Sequence, residues 1–153
     1  MTKEEKYKEL TTQVSGLIEG ETLEVSVLAN VSAAIKETMG FFWVGFYLVR
    51  DSQLVLGPFQ GSPACYRIQH GRGVCGTAWK EGRTIVVEDV EEFPGHIACS
   101  SLSRSEIVVP LMDSNGVMQS ELDIDSTEIG TFDEVDALYL GQICQMVAQQ
   151  LYR

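Results

Sequence analysis

The nine residues Phe41 to Val49, FFWVGFYLV, constrain this chain most. Aromatic and β-branched residues dominate the run, and it is far too short to span a bilayer. It reads as a strand buried on both faces. Asp51-Ser52 turns it back into a short strand, Leu54 to Leu56, so the first two strands make a hairpin. By the two-residue period Trp43, Gly45 and Tyr47 share one face of the first strand. Taken alone, the two aromatics read as core.

The flanking segments carry helical periods. Tyr7, Leu10, Val14 and Leu17 form one apolar stripe on a first helix that ends at Gly20. A second helix runs from about Thr22 to Met39, with Leu28, Val31 and Ile35 on one face and Gly40 as its C-terminal cap. Residues 57–76 hold five glycines and two prolines and predict a turn-rich wall or lid. A short helix from Val74 to Glu81 and a strand from Thr84 to Val87 follow. After the stretch FPGHIACSSLSRSEIVVP and a turn at Asp113 to Gly116 comes VMQSELDIDS. There Leu122 and Ile124 face one way, and Glu121, Asp123 and Asp125 the other. Thr131 and Glu134 have capping-box spacing ahead of a final helix striped by Leu140, Cys144, Val147 and Leu151. These elements predict a single α+β domain over residues 1–153. Its antiparallel sheet has about six strands, with the N- and C-terminal helices packed on one face and the other face free to carry loops.

Charge narrows the function. Twenty-two acidic residues against eleven basic ones leave a net charge of -11, which repels phosphate backbones and anionic lipid surfaces. Nucleic-acid and membrane roles are disfavoured. The N-terminus MTKEEKYKEL lacks the apolar core of a signal peptide, so a cytoplasmic location is expected. The four cysteines should then rest as thiols.

Cys144 lies on a helical stripe and reads as core. Cys65, Cys75 and Cys99 occur on loops or at a helix start near glycines, where reaction suits them better than packing. At a helix start, Cys75 would have its thiol pKa lowered by the dipole. Cys99 and Glu106 are offered together by one loop braced by the strand Ile107 to Val109. Cys65, Cys75, Cys99, His70 and His96 could in principle hold zinc, but no Cys-x-x-Cys knuckle is present and no metal is expected. A His96–Cys99 catalytic pair rests on a spacing that occurs often by chance. A row of carboxylates is usually a solvated face. If enclosed, the same acids cannot all ionise, and one becomes a proton donor.

The strings LGPFQGSPAC, GRGVCGTAW, FPGHIAC, SEIVVP and LDIDS, in this order, with the strand WVGFYL, closely resemble the free methionine-(R)-sulfoxide reductases. These are single-domain enzymes of the GAF fold, and the resemblance runs from about Leu28 to the C-terminus. It implies Cys99 as nucleophile, Cys65 as resolving thiol and Cys75 as a further redox cysteine. Glu106, Asp123 and Asp125 are implied to engage the sulfoxide oxygen and the ammonium, and Trp43 and Tyr47 the methyl-sulfur end. Backbone N–H groups of Ile97, Ala98 and Cys99 are implied to receive the substrate carboxylate. Thioredoxin is the implied reductant and a homodimer the implied assembly, with no cofactor. The chain departs from the pattern at Ser100, where aspartate is common, and at Ser120-Glu121, in place of a glycine and an apolar residue. The alternative is a GAF module that binds a small ligand or senses redox state without catalysis.

Overall fold

The computed structural model describes residues 1–153 except Ala98. Helix α1 (Lys3–Ile18) is opened by a capping box in which the Thr2 hydroxyl accepts from the Glu5 N–H and the Glu5 carboxylate accepts from the Thr2 N–H. It buries Tyr7, Leu10, Val14 and Ile18. The stripe thus ends on Ile18, one i+4 step beyond Val14, and leaves the expected Leu17 42% exposed. Helix α2 (Glu24–Met39) closes on Gly40, whose left-handed backbone sends its N–H to the Lys36 carbonyl.

The closing helix α4 (Glu134–Leu151) corrects the expected cap. Asp133, not Thr131, is the N-cap: its carboxylate accepts from the Val135 and Asp136 N–H groups, and Asp136 completes the box. Thr131 instead shares a hydrogen bond with Ser126 at 2.6 Å. Asp136 also takes Lys3 Nζ at 2.7 Å and the Tyr7 hydroxyl at 2.5 Å, which ties α4 to α1 across the buried face.

Six antiparallel strands form one sheet: β1 (Trp43–Arg50), β2 (Gln53–Gln60), β3 (Arg67–Ile68), β4 (Ile85–Val87), β5 (Ser105–Met112) and β6 (Met118–Ser126). Their order is β3-β2-β1-β6-β5-β4, so β1 lies inside the sheet, as its apolar run requires. Asp51 and Ser52 both have positive φ, which gives the β1–β2 hairpin a tight turn matched to strand twist. β2 is longer than Leu54 to Leu56. A register shift opposite Gly45 to Tyr47 absorbs Gly57 and Pro58, and β3 pairs only with Leu54 and Val55, so Pro58 interrupts no ladder on its outer side. β5 likewise continues through Pro110, because its pairing with β4 extends only to Val108.

The two sheet faces hold different cores. Helices α1, α2 and α4 cover Val44, Phe46, Ile107, Val109, Leu122 and Ile124, and Cys144 is buried in this layer as its stripe predicts. On the opposite face a smaller core joins Trp43, Tyr47 and Val108 to helix α3 (Gly73–Glu81) and β4. This face therefore carries one helix besides its loops. No helix among the described residues is long and apolar enough to cross a membrane.

Close approach fixes one wall of the smaller core. The Trp43 ring stacks on Phe59 with centroids 5.3 Å apart, and its indole N–H donates to the Ser62 carbonyl at 2.8 Å. Gly45 leaves room for both rings: a Cβ there would lie 2.6 Å from Trp43 Cη2. Gly45→Ala should therefore cost about 1–3 kcal/mol through overpacking, read as a lower urea midpoint with unchanged slope. An unchanged midpoint would contradict this packing.

Candidate active site

Strand register assembles the site. Across β5 and β6, Glu106 pairs with Asp125 and Val108 with Asp123. Across β1 and β6, Trp43 pairs with Asp125, Gly45 with Asp123 and Tyr47 with Glu121. The alternation that sends Leu122 and Ile124 to the large core therefore sends Glu121, Asp123 and Asp125 to the α3 face, beside Glu106, Trp43 and Tyr47. The solvated-face reading is overturned for Glu121 and Asp123, while Asp125 is half-buried. Glu121 is fully buried, and Glu106 and Asp123 are each 6% exposed.

Little positive charge answers this cluster. Among the described residues its one ionic contact is His96 Nε2, 4.0 Å from Glu106 Oε1. Both oxygens of Glu121, with Asp123 Oδ1 and Asp125 Oδ1, are buried without a hydrogen-bond partner. Asp125 Oδ2 accepts from the Ser103 hydroxyl at 3.2 Å. Desolvation, and then the charge of Asp123, pushes Glu106 and Asp125 well above the usual carboxylate range. Glu121 is raised well above it for the same reasons. Asp123 is raised too, by desolvation, against the pull of its contacts with Glu106, Cys75 and His96. Burial lowers His96, and the charge of Asp123 opposes it.

Helix α3 brings Cys75 down onto the acids, with Sγ 3.9 Å from Glu106 Oε2. Its expected activation by the helix dipole is corrected here. Cys75 is 4% exposed, and desolvation followed by the charges of Asp123, Glu121 and Glu106 pushes its thiol well up. Burial and four carboxylates outweigh a half charge at the helix end.

Two loops roof the cavity and are joined by a disulfide between Cys65 and Cys99, so these two are not resting thiols in this structure. The Tyr47 hydroxyl donates to the Cys65 carbonyl at 2.9 Å, which anchors the first loop to the sheet. Of the expected site residues, Trp43, Tyr47, Cys75, Ile97, Cys99, Glu106, Asp123 and Asp125 line one cavity, whereas Cys65 is not part of its lining and is joined to it through Cys99. Ala98 lies outside the described residues. The Cys99 N–H donates to the Ile97 carbonyl at 3.1 Å, so in this form it is engaged within the loop. Sequence reasoning missed Ser103 and Arg72, which also line the cavity. A serine in a serine-rich loop, and an arginine in a glycine-rich one, carry no periodic signal.

The Cys/His set considered for zinc is not assembled, because Cys65 and Cys99 are joined to each other and His70 packs edge-on against Trp79 at 4.7 Å. Instead Cys75, Glu106 and Asp123 each bring one ligand atom within 4.8 Å of the others. The cavity as a whole offers a sulfur pair at its roof, aromatic rings on one wall and acids able to hold protons at its floor. That combination suits thiol chemistry on a small cationic molecule.

Comparison with known proteins agrees with this geometry. Residues 22–151 match the GAF domain family. The chain is 55% identical over 147 residues to GAF domain-containing protein A of Dictyostelium discoideum, covering 95% of this chain and 92% of that protein. It is 46% identical over 152 residues to the free methionine-R-sulfoxide reductase of Escherichia coli, covering 99% and 92%. The X-ray structure of free methionine-R-sulfoxide reductase from Neisseria meningitidis in complex with its substrate superposes with a TM-score of 0.95 at 51% identity, covering 98% of this chain and 90% of that one. The chain belongs to the free methionine-R-sulfoxide reductase family of GAF-domain proteins.

Proposed function

We propose that this protein reduces free L-methionine-(R)-S-oxide to L-methionine, with residues 1–153 working as one GAF unit. The observation that carries the reading is the Cys65–Cys99 disulfide held over a buried, uncompensated acid floor, in a chain closely similar to reductases of that name. In the proposed reaction the Cys99 thiolate attacks the substrate sulfur. An acid of the floor protonates the sulfoxide oxygen, which leaves as water from the Cys99–sulfonium adduct; water then adds at the Cys99 sulfur and breaks the new sulfur–sulfur bond, so that methionine and a proton depart and a Cys99 sulfenic acid remains. Cys65 condenses with the sulfenic acid, releases water and forms the disulfide. An external dithiol of low potential, thioredoxin, then reopens it by thiol–disulfide exchange. Thioredoxin and assembly into a homodimer enter this reading from the family resemblance.

Each cavity residue has a part in the proposal. Glu106, Asp123 and Asp125 take the ammonium and supply the proton. Trp43 and Tyr47 hold the methyl-sulfur end against their faces, and the loop at Ile97 to Cys99 receives the carboxylate. Cys75, buried against the acids, acts as a further redox thiol once the loops part.

Single-turnover assays on the reduced enzyme separate the thiol roles. Cys99→Ser should form no methionine, whereas Cys65→Ser should complete about one turnover and lose recycling. Full single-turnover product from Cys99→Ser would move the nucleophile to Cys75.

The acids give a second test. A carboxyl with a raised pKa is a donor below that value and loses its proton as the pH rises through it, so kcat should fall toward alkaline pH. Because Glu106, Asp123 and Asp125 interact closely, the fall should appear as shared macroscopic steps that shift when any one is neutralised. Asp125→Asn with unchanged rate and pH profile would remove that residue from the cluster.

A further inference from the structure

The floor of the cavity has the composition of a metal site. Cys75 Sγ stands 3.9 Å from Glu106 Oε2, and the ligand atoms of Cys75, Glu106 and Asp123 lie within 4.8 Å of one another. Ligand atoms around tetrahedral zinc are separated by roughly 3.3–3.8 Å, so small side-chain shifts would close the set. Asp123 Oδ1 is buried without a hydrogen-bond partner. Glu121, the next residue on this face of β6, adds a fully buried carboxylate whose two oxygens also lack partners. Among the described residues no lysine or arginine forms an ion pair with any of the four acids. The cluster lacks the positive charge that a cation would supply.

Size and ligand type narrow the occupant. In the disulfide form the cavity holds about 40 Å³ of free space, enough for an ion and a water or two when one water needs about 10–15 Å³. A thiolate with carboxylates suits zinc, whereas magnesium and calcium favour oxygen alone. His96, on the cavity wall with Nε2 4.0 Å from Glu106 Oε1, can add an imidazole nitrogen.

We propose that Cys75, Glu106 and Asp123 form a binding site for a zinc-class divalent cation, with the unpartnered carboxyl of Glu121 beside it. When the ion binds, the Cys75 thiol proton and any proton held by Glu106 or Asp123 pass to solvent. If the function proposed above is right, the ion takes the acids that would hold the substrate ammonium, so zinc inhibits in competition with substrate. The binding itself does not depend on that reading.

The test uses the oxidised protein, residues 1–153, in which Cys65 and Cys99 are tied together and Cys75 and Cys144 are the free cysteines that can provide a thiolate. Titration with Co²⁺ should saturate at one ion per chain and produce a thiolate-to-cobalt charge-transfer band in the near ultraviolet, and Zn²⁺ should bleach it. Cys144→Ser should keep the band, Cys75→Ser should lose it, and Asp123→Asn, with far-ultraviolet circular dichroism to check folding, should weaken binding at least tenfold. No saturable band, a band that survives Cys75→Ser, or full affinity in Asp123→Asn would overturn the site. Activity is not read, so failure here leaves the proposed reaction untouched.

Discussion

A cluster of enclosed carboxyl groups without a matching cation is the constraint on which the rest of this structure turns. Glu106, Glu121, Asp123 and Asp125 sit on one sheet face, and their one ionic contact among the described residues is His96, whose pKa burial lowers. Moving an isolated carboxylate out of water costs several kcal/mol even after relaxation, so such a cluster survives by holding protons. Its acids have folded-state pKa values raised above their unfolded values. The protonated folded state is therefore favoured at low pH, and that contribution is lost as pH rises from the ordinary carboxylate range toward the raised values.

The architecture supports this expensive floor from behind. Leu122 and Ile124, alternating with the acids along β6, are fully buried against the helical layer, and Phe46 and Val44 extend that contact on β1. A sheet held so firmly on one face can tolerate unsatisfied groups on the other. Strand register then places the aromatic rings and acids around one cavity, helix α3 adds Cys75, and two loops bring the Cys65–Cys99 pair over it. Tyr47 links the two levels, since its ring lines the cavity and its hydroxyl holds the Cys65 carbonyl.

Much of this was legible in the sequence, for physical reasons that can be named. Period-two alternation in VMQSELDIDS placed the acids on one face, and the apolar run at Phe41 to Val49 required an inner strand. Alternation says which way a side chain points but not what covers it, so the burial of those acids was invisible until α3 was in place. Cys75 shows the same limit: a helix-start position suggested an activated thiol, and only the packed structure reveals carboxylates around it. The cap of α4 was misread because Thr131 and Asp133 offer equivalent side-chain acceptors, and Ser126, which engages Thr131, is a neighbour in space that sequence spacing does not weigh. In the sequence Glu121 is one of three acids sharing a strand face and also a departure from the family pattern. The structure turns it into a buried acid with both oxygens unpaired.

In the proposed reaction, the acid floor reads an ammonium group on a free amino acid. An ammonium and a carboxylate occur together on one residue only when no peptide bond flanks it, and a buried charged group left without its partner costs far more than a lost surface contact. The most direct measurement is kcat/KM for free methionine-R-sulfoxide against its N-acetyl and amide derivatives at one thioredoxin concentration. Blocking the amine should lower kcat/KM on the order of a hundredfold or more. Comparable values for the free and N-acetyl forms would contradict it.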